Sequence, residues 1–180
     1  MEQDALNLIQ ALRQRNPIAC QQLLDEYGTV VYRMVRRIVM QDEDAEEVYQ
    51  DVFMKVLRNI DRFDPRQSSL ATWLRRIAYN ESLNFVRSKR HDIVYMDDYE
   101  MEIDEMDDVS NETPIDEQTI WQLEKALTML PPNKRALITM FYYDNMSLAD
   151  IAYVTGSTPS TVGSQLSRIR KKLYRIIKSL

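Results

Sequence analysis

Between residues 44 and 60 the apolar side chains Ala45, Val48, Tyr49, Val52, Phe53, Val56, Leu57 and Ile60 return in steps of three and four. That spacing is one face of an α-helix. The same period governs most of the chain. Three glycines (Gly28, Gly156, Gly163) and six prolines interrupt 180 residues, too few turn formers for a β-sandwich or barrel. No two glycines stand close enough to build a G-x-G-x-x-G turn or a P-loop. The expected fold class is all-α.

Breaks in the period divide the chain. Helices are predicted over about residues 4–15, 20–40 and 44–60, the first ending before Asn16-Pro17. Asp44, Glu46 and Glu47 start the third, and Lys55 and Arg58 lie near its end, as the helix dipole favours. Residues 61–69 (DRFDPRQSS) form a loop, and Ser68 or Ser69 caps a helix over 70–89. Leu70, Leu74, Ile77 and Phe85 can face its core. A second unit follows: a helix over 115–129, one capped by Asn133 and running to about 143, a short one capped by Ser147, and a long one capped by Thr158 with Pro159 at its first position.

The net charge of −5 conceals segregation. Residues 92–124 hold thirteen acids and no Lys or Arg, leaving 15 acids against all 23 bases elsewhere, a net of +8. This asymmetry suggests a polyanion-binding protein with an acidic insert; the plain alternative is a solvated linker. The expected organisation is two small helical domains, 1–92 and 115–180, joined by a flexible acidic linker over 93–114. Those 22 residues span about 25 Å as a coil and about 75 Å when straight.

A short helix, a turn at Thr155-Gly156-Ser157 and a long helix are the parts of a helix-turn-helix. In the long helix Val162, Leu166, Ile169, Leu173 and Ile176 repeat on one side. The other side opens with small hydroxyls, Thr158 at the cap and then Ser160, Thr161, Ser164 and Ser167, which let a backbone approach closely. Gln165 suits adenine and Arg168 guanine. Arg170, Lys171, Lys172, Arg175 and Lys178 suit phosphates. The plain alternative is a solvated basic helix.

On the 70–89 helix, Trp73, Arg76, Asn80, Asn84 and Arg87 form a separate stripe. Asparagine is a poor helix former, so two on one basic stripe require a reason. An aromatic for stacking, worth about 1–3 kcal/mol per base, and amides for base edges suit single-stranded DNA. A tryptophan that only closes the core is the alternative.

Catalysis finds little support. One cysteine, Cys20, excludes an internal disulfide; one histidine, His91, excludes a histidine pair; the two together leave no structural zinc site, and no motif pairs a histidine with a serine or cysteine. Glu47 and Asp51 stand one turn apart but read as a solvated pair at the charged start of a helix. No cofactor is expected. The N-terminus is unlike a signal peptide, and no apolar run approaches the roughly 20 residues of a membrane span. A reduced, cytoplasmic protein is expected.

The segments DAEEVYQDVFMKVLRNI and RFDPRQSSLATWLRRIAYNESLNFVRSKR resemble region 2 of the extracytoplasmic-function sigma factors of bacterial RNA polymerase. LPPNKRALITMFYYDNMSLADIAYVTGSTPSTVGSQLSRIRKKL resembles region 4 of that family. The resemblance implies a sigma factor that binds core polymerase, selects promoters and melts the −10 element, with the polymerase supplying all catalysis and its metals. The helix bearing Glu47, Gln50, Asp51, Met54 and Arg58 would meet the clamp helices of the β′ subunit. The loop with Phe63, and the helix with Trp73, Arg76, Asn80, Asn84 and Arg87, would open the −10 element. Region 4 would read the −35 element, with Ser164, Ser167 and Arg168 at its reading positions, and touch the β flap. An anti-sigma factor, membrane-linked for many members, is an implied partner. Gly163 departs from the family, which often has Lys or Arg after the Thr-Val pair. A stand-alone helix-turn-helix regulator would explain residues 116–180 only, and a helical adaptor for acidic proteins is a third reading.

Overall fold

The structure is a computed structural model that describes residues 2–89 and 117–180. The described residues form helices and turns, with no strand. The predicted linker over 93–114 lies outside them.

The first unit is built from α1 (Glu2–Arg13), α2 (Pro17–Val39), α3 (Asp42–Asn59) and α4 (Leu70–Lys89). α2 begins three residues before the expected start. Asn16 ends one helix and caps the next: its side chain accepts a hydrogen bond from the Ile18 amide at 2.9 Å, and Pro17 takes the first helical position. α3 gathers Asp42, Glu43 and Asp44 in its first turn. α2, α3 and α4 pack as a bundle, with Val31, Val35, Val48, Val52, Val56 and Leu74 fully buried. Leu8, Ile9 and Leu12 seal α1 onto it. Arg13 Nη2 donates to the Phe63 carbonyl at 2.8 Å, and the Arg15 guanidinium donates to the Leu57 carbonyl, so α1 and the turn after it hold the last turn of α3 and the loop that follows.

The second unit contains α5 (Glu117–Thr128), α6 (Pro132–Ile138), α7 (Leu148–Thr155) and α8 (Pro159–Lys178). Here the expected helix over 133–143 is corrected. Pro131 is the cap and Pro132 the first residue; Asn133 sits inside. After Ile138 the chain widens into a π-helical turn, Thr139–Tyr143, in which the Asp144 amide reaches back to the Thr139 carbonyl at 3.1 Å. The wide turn buries Met140 and leaves Tyr142 and Tyr143 outside. Ser147 and Thr158 cap as expected, accepting from the amides of Asp150 and Thr161. Gly156, at φ 68°, supplies the left-handed residue that ends α7.

The two units pack together. α4 lies on α7 and α2 on α6, and the buried residues of both form one cluster. The linked-module reading of the sequence did not contain this contact.

Candidate nucleic-acid interfaces

α8 turns Val162, Leu166, Ile169 and Leu173 inward against the other helices of its unit. Its opposite side exposes Thr158, Ser160, Thr161, Ser164, Gln165 and Arg168, with Ser167 and Lys171 half-buried. The hydroxyls of Thr158, Thr161 and Ser164 are locally satisfied. Those of Thr158 and Thr161 share a bond of 2.8 Å, and Ser164 donates to the Ser160 carbonyl at 3.1 Å. The result is a low surface behind which Gln165 and Arg168 project. Arg170, Lys172, Arg175 and Lys178 are exposed farther along. Gly163 is half-buried and faces α7: a Cβ added there would lie 3.8 Å from Leu148 Cδ1, an ordinary contact.

α4 has three faces. Leu74 and Ala78 enter the core of the first unit, joined at lower burial by Ile77 and Phe85. Thr72, Arg75 and Arg76 meet the second unit. Asn80, Asn84 and Arg87 are exposed. The stripe expected from the sequence is therefore split. Arg76 places its guanidinium 4.7 Å over the Tyr153 ring. Trp73 is half-buried, its ring 5.2 Å from that of Phe63.

Phe63 departs from the expectation that it faces a DNA strand. It is only 3% exposed. A short 3-10 turn at Ile60–Arg62 folds the loop back, so that the Phe63 amide donates to the Ile60 carbonyl and its ring lies beneath Trp73. The rest of the loop is shaped by Asp64, whose carboxylate accepts from the Arg66 amide and Nε, both at 3.0 Å. These donors hold its carboxyl below the ordinary aspartate range. Ser69 Oγ accepts from the Thr72 amide at 3.1 Å and is the cap of α4.

On α3, Glu47, Gln50, Asp51, Met54 and Arg58 share one exposed face, with Met54 52% exposed. Beside it an open groove of about 490 Å³ is lined by Gly28, Thr29, Tyr32, Glu46, Tyr49 and Gln50. Gly28 is closely approached: a Cβ would stand 2.7 Å from Tyr49 Oη, so that the tyrosine would have to shift.

Sequence reasoning missed the residues that join the units. Arg135 is 6% exposed, and it donates through Nε to the Arg37 carbonyl at 2.6 Å and through Nη2 to the Ile38 carbonyl at 3.2 Å. A cation is well placed at the carboxyl end of α2. Arg75 pairs with Asp144 at 3.8 Å, and burial pulls its guanidinium below the usual arginine value against the opposing effect of Asp144. The one signal in the sequence was an arginine beside the apolar run ALITMFYY.

Two family models match the chain: "Sigma-70 region 2" over residues 23–91 and "Sigma-70, region 4" over residues 120–173. Among curated proteins, the chain is 26% identical over 190 residues to ECF RNA polymerase sigma factor SigW of Bacillus subtilis, covering 100% of each. It is 28% identical over 178 residues to ECF RNA polymerase sigma factor RpoE of Cereibacter sphaeroides, covering 96% of this chain and 93% of that one. Among solved structures, CnrH in complex with the cytosolic domain of CnrY superposes with a TM-score of 0.69 at 21% identity, over 97% of both chains. The sigma factor RpoE in complex with the anti-sigma factor NepR from Bartonella quintana gives 0.64 at 24% identity, over 88% and 96%. At those identities the structures speak for the shared fold.

Proposed function

This chain belongs to the extracytoplasmic-function (ECF) group of the sigma-70 family, and we propose that residues 1–92 engage core RNA polymerase and the −10 element while residues 115–180 grip the −35 element. It is a sigma factor, which gives core polymerase its promoter specificity. The proposal concerns which residues do the work.

The observation that carries it is a pair of separate, exposed reading faces on different helices. On α4, Asn80, Asn84 and Arg87 are exposed on the helix that also carries the half-buried Trp73. Amides read the edge of an unpaired base, and the arginine neutralises its phosphate. On α8, Gln165 and Arg168 stand above a floor of small hydroxyls, the arrangement that enters a major groove. A good bidentate contact from either contributes about 1–3 kcal/mol of discrimination. The α3 face with Glu47, Gln50, Asp51, Met54 and Arg58 takes the polymerase β′ clamp helices, with the exposed Met54 as its apolar centre. The second unit also touches the β flap.

Catalysis and its metal ions stay with the polymerase, and the protein acts in the cytoplasm. An anti-sigma factor is the proposed regulator. Two solved sigma-factor neighbours are complexes, one with the cytosolic domain of CnrY and one with the anti-sigma factor NepR.

The test is in vitro transcription with core enzyme on a genomic fragment library. Initiation at a defined set of promoters is expected only when protein and core are both present. Tight, specific duplex binding without core, and no initiation with it, would overturn the proposal in favour of a stand-alone regulator.

A further inference from the structure

We infer that Arg13, in the last turn of α1, and Arg15, just beyond it, are positioning residues for promoter opening: they brace the loop whose Phe63 ring supports Trp73. The inference rests on the assignment of Trp73 and α4 to the unpaired −10 strand.

α1 lies wholly outside the segment that matches region 2, residues 23–91. Its end is nevertheless bonded to the loop after α3. Arg15 donates to the Leu57 carbonyl, and its Nη2 stands 3.5 Å from Asp61 Oδ2. Arg13 Nη2 donates to the Phe63 carbonyl at 2.8 Å. The two cations therefore bracket the 3-10 turn Ile60–Arg62, one at its entry and one at its exit. Among the described residues no backbone amide bonds to the Phe63 carbonyl, so Arg13 is what fixes that peptide. The Phe63 ring, almost wholly buried, lies 5.2 Å from the Trp73 ring at an interplanar angle of 54°. Where the lower ring sits decides where the upper one can lie.

The backbone at Arg15 supports the same role. Its φ is 59°, a left-handed conformation that glycine takes freely and arginine does not. Glycine would end the helix there with less strain. A side chain kept at a strained position points to what that side chain does, and this one reaches α3 and Asp61. The side chains of Arg15 and Asp61 are 55% and 61% exposed, so their ion pair adds little to folding. The contribution is geometric. A recognition side chain works when its supports fix its orientation, and one resting on a loop needs such supports more than one resting on a helix. A base stacks on an aromatic ring only where the ring is held to receive it.

The test uses the full chain carrying Trp121→Phe, which leaves Trp73 as its single tryptophan. Trp121 lies on α5, outside the proposed reading faces. Into this background go Arg13→Ala, Arg13→Lys and Arg15→Gly. Four quantities are read: acrylamide quenching of Trp73 fluorescence, the urea midpoint, affinity for core polymerase, and permanganate reactivity of the −10 region with core present. Arg13→Ala should raise the quenching constant at least twofold and lower permanganate reactivity at least fivefold, with core affinity within twofold. Arg13→Lys keeps a donor for the Phe63 carbonyl and should restore both to within twofold. Arg15→Gly relieves the backbone while removing the bond, so opening should fall without a lower urea midpoint. Unchanged quenching in Arg13→Ala, no restoration by lysine, or opening that merely follows the urea midpoint across the variants would overturn the brace. The double variant Trp73→Ala/Asn80→Ala, run alongside, separates the two readings. Normal opening by Arg13→Ala beside a defective double variant refutes the brace alone. Normal opening by both refutes the assignment of α4, and the role of the arginines in opening with it.

Discussion

The guanidinium of Arg135 closes on the carbonyl of Arg37 at 2.6 Å across 98 residues of sequence, and this bond stitches the second helical unit onto the first. The same side chain reaches the Ile38 carbonyl at 3.2 Å. The carboxyl end of α2, which leaves carbonyls without intrahelical partners, is completed by a residue from the other unit.

Removing that donor should be felt in stability. Hydrogen bonds to charged groups contribute about 1.5–3 kcal/mol, and unpaired buried carbonyls add their own cost. Arg135→Met should lower the unfolding free energy by about 2 kcal/mol, read from the urea midpoint. An unchanged midpoint would mean that water replaces the guanidinium without loss.

The same substitution should have opposite signs at two glycines. Gly163 lies inside α8 with room for a methyl group, 3.8 Å from Leu148 Cδ1. Gly163→Ala should stabilise by about 1 kcal/mol through helix propensity. At Gly28 the added carbon would stand 2.7 Å from Tyr49 Oη. Gly28→Ala should lower the melting temperature, because the Tyr49 ring, packed edge-on against Tyr32 and Phe53, must shift. Thermal melts of both variants decide the signs.

Promoter opening should separate from polymerase binding. Asn80→Ala combined with Trp73→Ala should reduce permanganate reactivity of the −10 region at least tenfold, with core affinity within about twofold. Trp73 also packs on Phe63, so the melting temperature of Trp73→Ala alone is the control for lost packing. Normal opening by the double variant would remove α4 from strand recognition.

Stability should fall in alkali. Burial raises the Tyr79 phenol above its ordinary value of about 10, with Arg87 opposing weakly, and burial likewise raises Tyr27 and Tyr49. Where a folded-state value is raised, the folded chain holds its proton longer than the unfolded chain. The stabilisation is therefore complete below about pH 10 and is lost as pH rises through the folded-state values. Melting temperatures between about pH 9 and 11 should decline, and Tyr79→Phe should flatten that decline. An identical slope in the variant would rule Tyr79 out as the cause.

Much of the architecture was written in short-range pattern. The three-and-four spacing marked α3 and α8, and side-chain caps marked the starts of α7 and α8, because a helix is made by residues within one turn of each other. Ser164, Gln165 and Arg168 could be placed on the exposed side of α8 for the same reason: their position relative to Val162 and Leu166 is fixed by helical geometry. Pro132 displaced Asn133 from the start of α6, since proline suits the first helical position.

What lay beyond the sequence were relations between segments far apart in the chain. Nothing local to Phe63 says that a 3-10 turn tucks its ring under Trp73. Nothing near Arg76 foretells Tyr153 above it, nor does Arg135 announce the end of α2 as its partner. Periodicity determines which side of a helix is apolar, but polar groups have no period that names their counterparts. Only the packed chain, bringing α7 onto α4 and α6 onto α2, decided which of the proposed reading residues stand open and which are held.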